Sequence, residues 1–110
     1  MIPYFDGRVG PGMDVLGART TDEDISGILP TLKKPHAEYF KNFYADTAMF
    51  GGTLGIECGM KFFGVDHTVF STDLPFAPTA ETIEAINSLQ LEHNDLESLC
   101  IGNAKRLMKL

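Results

Sequence analysis

Between residues 42 and 89 the apolar pattern switches between the two-residue period of a strand and the 3.6-residue period of a helix, and no other feature of the chain constrains its fold as much. Asn42-Phe43-Tyr44-Ala45-Asp46-Thr47-Ala48 reads as a strand. Thr53 to Phe63 reads as a helix whose apolar positions, Leu54, Ile56, Cys58, Met60, Phe62 and Phe63, leave so little polar surface that it should be covered on most sides. The β-branched and aromatic run from Val65 or His67 to Thr72 is the next strand, and Ala80 to Leu89 the next helix, with Ile83, Ile86 and Leu89 on one stripe. The order strand, helix, strand, helix predicts parallel strands joined by right-handed crossovers.

The flanks read differently. Met1 to Thr20 carry Gly7, Gly10, Gly12 and Gly17 with Pro3 and Pro11, a loop composition. Thr21-Asp22-Glu23-Asp24 opens a short helix with an acidic first turn, running through Ile25, Ile28 and Leu29 to Pro30; a second short helix around Pro35 to Lys41 presents Tyr39 and Phe40. Asn94 and Glu97 form a capping box for a last helix whose stripe is Leu96, Leu99, Asn103, Leu107 and Leu110. The chain is thus expected as one α/β segment: loop 1–20, short helices 21–41, two βα units 42–89 and a C-terminal helix 94–110. Two such units do not close a barrel, which needs about 250 residues.

Composition excludes some functions. Fifteen acidic against nine basic residues give a net charge of -6, which argues against a nucleic-acid partner. No apolar run is long enough to cross a membrane and no charged-then-apolar leader opens the sequence, so a soluble, cytoplasmic chain is expected. Cys58 and Cys100 each fall within an apolar helical pattern and are expected as buried free thiols. The glycines at 51, 52, 55 and 59 lack the following Lys-Ser or Lys-Thr of a phosphate loop. His36, His67 and His93 share no ligand-like spacing and are expected at the surface.

Asp73 is the best candidate for a functional acid. The run His67-Thr68-Val69-Phe70-Ser71-Thr72-Asp73-Leu74-Pro75-Phe76 is an apolar strand that ends on a carboxylate and is stopped by proline. A carboxylate there belongs either to a turn or to a site at the strand mouth, and the local pattern leaves both open.

Four separated stretches, Met1-Ile-Pro-Tyr-Phe-Asp-Gly-Arg8-Val-Gly, Phe43-Tyr44-Ala45-Asp46-Thr47-Ala48, Phe70-Ser71-Thr72-Asp73-Leu74-Pro75-Phe76 and Gly102-Asn103-Ala104-Lys105-Arg106-Leu107, occur in an order that resembles the C-terminal third of the amidohydrolase superfamily. The nearest branch is the metal-dependent decarboxylases typified by 2-amino-3-carboxymuconate-6-semialdehyde decarboxylase. The resemblance spans nearly the whole chain. It implies the C-terminal part of a (β/α)8 TIM barrel, namely the last two βα units with preceding loop helices and a final helix, incomplete as a barrel. It also implies that Asp73, at the end of the eighth strand, is catalytic and binds zinc or a similar divalent ion. In such barrels the other ligands are a His-x-His pair on the first strand and a histidine on the fifth, while a sixth-strand histidine handles the metal-bound water. None of these is in this sequence. The family's sixth-strand histidine would fall just before Met1, so no tightly held metal is expected of the chain alone.

The same resemblance places Arg8 in the active site of a neighbouring subunit, where its planar fork would pair with a substrate carboxylate. The alternative is an arginine that ties down a glycine-rich loop through backbone carbonyls. Arg19 is expected in a loop or interface, Asp46 as a residue that orders a turn, and Asn103 as a buried polar anchor bonded to backbone. Ser71 stands where the family has glycine, and the stretch from Pro75 to Thr82 is shorter than in relatives. Two functional classes stay open: a segment of a metal-dependent carboxy-lyase or hydrolase acting on a small carboxylated substrate, or a non-catalytic α/β remnant. In either case a homo-oligomer, a dimer, is expected to cover strands and helix faces that lack neighbours.

Overall fold

The computed structural model describes residues 1–18 and 27–110, so Arg19 and the helix expected from Thr21 lie largely outside the described residues. The chain divides into two compact units, Met1–Phe43 and Tyr44–Leu110.

In the first unit the expected loop is a series of short helical turns: a 3-10 turn Ile2–Phe5, helix α1 Asp6–Val9 and a 3-10 turn Met13–Ala18. Pro3 does not prevent this, because the first helical positions need no amide donor. Another 3-10 turn, Leu29–Thr31, precedes helix α2, His36–Phe40, which agrees with the expected helix around Pro35 to Lys41. His36 is not a surface residue. Its side chain is mostly buried, and Nε2 donates to the Gly10 carbonyl at 2.7 Å, tying α2 to the turn after α1.

The second unit is α/β. Strand β1, Ala45–Asp46, pairs in parallel with strand β2, Thr68–Val69, in the register Ala45 to Thr68 and Asp46 to Val69, with helix α3, Thr53–Phe63, between them in sequence. Parallel pairing and the limits of α3 agree with the alternating pattern. Gly64 ends α3 at φ 92°, a conformation that a residue with a Cβ resists, while its amide closes the last turn on the Met60 carbonyl. The paired strands are much shorter than the runs that suggested them. Residues 65–67 form a 3-10 turn, and the two-stranded sheet has only one ladder to define a strand.

Helix α4, Thr79–Ser88, buries Thr82, Ala85 and Ile86, whereas Ile83 is exposed. The stripe through Ile83 was therefore off the core-facing side by about one residue step. The last helix is also not one helix. Helix α5, His93–Glu97, passes into a π segment, Ser98–Gly102, and then into helix α6, Asn103–Met108. The first helical residue is His93, so Asn94 already lies inside α5, and no side chain caps this end. The expected capping box is absent.

The π segment has a physical cause. The Asn103 amide bonds the Ser98 carbonyl rather than that of Leu99, and the freed Leu99 carbonyl accepts the Phe70 amide at 3.0 Å. Val69 faces β1, since its carbonyl accepts the Thr47 amide, so the backbone groups of Thr68 and Phe70 point to the other edge. Asn103, fully buried, donates through Nδ2 to the Val65 carbonyl at 2.7 Å and the Thr68 carbonyl at 2.6 Å. The last helix thus occupies the edge of β2 that would otherwise offer unpaired groups. Asn103 is the buried anchor that its place on an apolar stripe implied.

The core of this unit contains Ile56, Ala77, Ala85, Ile86 and Leu99. Helix α3 is not covered on most sides: it buries Ile56 and Gly59 while Leu54 stays exposed. Cys58 and Cys100 are free but exposed, because the buried faces of their helices run through Ile56 and Gly59 and through Leu99 and Asn103. Among the described residues no helix is long and apolar enough to cross a membrane.

Candidate functional site at the end of the second strand

Beyond β2 the chain runs through Phe70, Ser71 and Thr72 to Asp73, which turns at φ 60°. Aspartate is among the few residues with a side chain that adopt this left-handed conformation readily. The turn is made by the backbone. The Asp73 carbonyl accepts the amides of Phe76 at 2.8 Å and Ala77 at 3.1 Å, and Ala77 is buried beneath the loop. The carboxylate is exposed and makes no hydrogen bond or ion pair among the described residues.

Asp46 provides the contrast. Its Oδ1 accepts the Ala48 amide at 2.8 Å, so this carboxylate orders the turn after β1, the role that the family resemblance implied. The neighbouring residue, Thr47, was not singled out by the sequence. It is fully buried, and its Oγ1 donates to the Ser71 carbonyl at 2.8 Å while accepting the Ser71 amide at 3.0 Å. No local signal marks it, because threonine is an ordinary residue in a strand pattern.

Arg8 lies in the other unit, on α1. Its side chain is exposed, with the guanidinium carbon 5.8 Å from the centroid of the Phe5 ring. The glycine-rich loop beside it closes on its own backbone: the Gly10 amide bonds the Asp6 carbonyl and the Gly12 amide the Gly7 carbonyl, both at 2.7 Å. A Cβ on Gly12 would come within 2.8 Å of the Arg8 backbone, which makes glycine obligatory there. Arg8 makes no hydrogen bond to a carbonyl among the described residues, so loop closure does not use its fork.

The histidines do not join Asp73. His36 belongs to the first unit, His67 stacks on Tyr44 with ring centroids 4.5 Å apart, and His93 is exposed at the start of α5. Among the described residues no three His, Cys, Asp or Glu side chains lie together as a metal-binding group. Among the described residues the donors do not by themselves fit a divalent ion. A cavity of about 250 Å³, lined by Glu57, Met60, Lys61, Val65, Leu89 and Leu91, opens near the start of β2, the end opposite Asp73.

The short parallel sheet with its intervening helix is an α/β fold shared with solved decarboxylases of the amidohydrolase superfamily. The structural neighbours are such enzymes, as the four sequence stretches led one to expect. The chain is similar over 99% of its length to 5-carboxyvanillate decarboxylase from Sphingomonas paucimobilis, with a TM-score of 0.78 and 21% identity. It is similar over 99% of its length to a dihydroxybenzoic acid decarboxylase from Polaromonas sp. JS666 with bound manganese and the inhibitor 2-nitroresorcinol, at a TM-score of 0.70 and 26% identity. A 2,6-dihydroxybenzoate decarboxylase from Rhizobium matches over 98% at 0.70 and 24%. The chain spans 31% of the length of each of these structures. No protein-family model and no curated protein matches it.

Proposed function

We propose that this chain forms the last two βα units and closing helix of a (β/α)8 barrel, and supplies two side chains to a metal-dependent carboxy-lyase or hydrolase for carboxylated aromatic or muconate-like substrates. Asp73 is one carboxylate ligand of a zinc or similar divalent ion whose remaining ligands are imidazoles outside this sequence. Arg8 pairs through its planar fork with a carboxylate of the substrate, reaching it from a neighbouring subunit. The observation that carries the reading is the freedom of the Asp73 carboxylate: its turn is held by backbone bonds, whereas Asp46 spends its carboxylate on its own turn. Manganese and an aromatic inhibitor in one structural neighbour support a divalent ion and a substrate of this class.

The incomplete donor set favours a second reading, a non-catalytic α/β chain. The two are separated by restoring what is missing. The 110-residue chain alone is expected to show no decarboxylation of carboxylated aromatics or muconate semialdehydes and to retain less than one equivalent of zinc after dialysis against a weak chelator. One tightly held zinc per chain by elemental analysis would contradict this. In a protein that also carries the His-x-His segment, Arg8→Lys keeps the charge but loses the bidentate fork, so kcat/KM should fall roughly ten- to a hundredfold with metal content unchanged. Unaltered kinetics would remove the carboxylate clamp, and a completed protein with no activity at all would favour the second reading.

The same proposal includes a homodimer. The Tyr44, Phe62, Phe63 and Phe70 side chains are half-buried, while Phe50, Leu54, Leu74 and Phe76 are exposed. Apolar side chains of this size left in water favour association. Light scattering at micromolar concentration should give twice the mass of the chain, and a monodisperse monomer would count against the dimer.

A further inference from the structure

We infer that Thr47 is the positioning residue for the Asp73 carboxylate, an assignment that rests on the reading of Asp73 as the functional acid. The ladder between β1 and β2 covers two residues on each strand, and the Thr47 amide adds one bond to the Val69 carbonyl at 3.2 Å. Beyond this point the side chain of Thr47 replaces the missing strand. One hydroxyl both donates to the Ser71 carbonyl and accepts the Ser71 amide, so the two backbone groups that a longer β1 would have paired are satisfied by Oγ1. Because Thr47 is fully buried, water does not compete for these bonds.

The clamp lies two residues before Asp73. On the other side the Phe76 and Ala77 amides close on the Asp73 carbonyl, and Thr79 of α4 reaches the Thr72 hydroxyl at 3.4 Å. The backbone of Asp73 is therefore pinned on both sides while its carboxylate is left unbonded. A carboxylate at a left-handed φ has its direction set by that backbone, so freeing Ser71 would let the acid swing. Sub-ångström aim at a reacting centre is worth large factors in rate. The β-branch of Thr47 narrows its own χ1, which keeps the hydroxyl aimed at Ser71.

The test begins with the unsubstituted 110-residue chain. Its NMR spectrum should show a slowly exchanging Thr47 hydroxyl proton in through-space contact with the Ser71 amide, and absence of that signal overturns the inference. Thr47→Val keeps shape and burial but removes the hydroxyl. The Ser71 amide should then exchange at least about tenfold faster, a change of 1.4 kcal/mol or more by the usual conversion, while the Ile56 and Leu99 amides keep their rates. The three-bond coupling that reports the positive φ of Asp73 should average. Thr47→Ser should restore both readouts; unchanged Ser71 exchange in the valine variant, or failure of serine to restore it, overturns the clamp. If the valine variant does not fold, the hydroxyl proton and the serine variant decide. These readouts should be indifferent to Asp73→Asn, so an active Asp73→Asn enzyme would defeat the functional reading and leave the clamp standing. In a completed enzyme Thr47→Val should lower kcat by about tenfold or more with KM nearly constant and serine restoring it. An unchanged kcat there would overturn the positioning role.

Discussion

Replacing Asp73 with asparagine, in a protein that completes the site with the missing imidazoles, is expected to remove metal retention and turnover together while leaving the fold intact. Asparagine matches aspartate in shape and accepts the left-handed φ of 60° as readily, and the bonds from Phe76 and Ala77 go to the backbone carbonyl, which the substitution does not touch. Stability should therefore change by less than about 0.5 kcal/mol, as for exposed sites without special partners. Function depends on the charge. A neutral amide binds a divalent ion far more weakly than a carboxylate, so kcat/KM should fall by about a hundredfold or more, with metal content falling in parallel. Elemental analysis and steady-state kinetics on the same preparation check both. Full metal and full rate in this variant would make Asp73 a residue of the turn alone.

The largest effect on folding is expected at Asn103. Its Nδ2 serves the Val65 and Thr68 carbonyls, and its Oδ1 accepts from Arg106, which also reaches the Asp66 carbonyl. Asn103→Leu has similar volume but leaves the Thr68 carbonyl at the edge of β2 without its partner, while the Val65 carbonyl keeps the Thr68 amide. An unsatisfied buried acceptor costs about 1–3 kcal/mol, so the variant should lose about that much. A domain of ordinary stability holds only about 5–15 kcal/mol, and much of the population would unfold at modest denaturant. Urea titration followed by far-ultraviolet circular dichroism measures the loss, with Lys105→Ala, an exposed substitution one turn edge away, as a control expected within about 0.5 kcal/mol. Equal midpoints for Asn103→Leu and the unsubstituted chain would show that Leu99 and Thr47 hold the strand without it.

The functional candidates were legible to different degrees. Asp73 stood out as a carboxylate ending an apolar run, a pattern that left turn and site open until the family resemblance was added, and Arg8 only through that resemblance. Thr47 gave no such signal, since threonine inside a strand pattern is ordinary and its importance comes from a partner 24 residues away. How Asp73 makes its turn was likewise out of reach of the sequence. A turn through the side chain and a turn through the backbone have the same residues, and only the bonds from Phe76 and Ala77 distinguish them.

The sequence by itself determined what depends on neighbours along the chain. Helix α3 runs from Thr53 to Phe63 with Ile56, Met60 and Phe63 at helical spacing, and Gly64 supplies the positive-φ stop. The alternation of strand and helix required parallel pairing, and Asn103 among leucines required a buried partner. Tertiary structure decided what depends on groups far apart in the chain. The last helix opens into a π segment because the Phe70 amide takes the Leu99 carbonyl, a bond no local pattern encodes. Which stripe of α4 faces the core, whether Cys58 and Cys100 are covered, and how short the ladder is all follow from which surfaces find partners. Periodicity specifies that a face is apolar, but burial is a property of the packed pair, and the second member of each pair lies elsewhere in the chain.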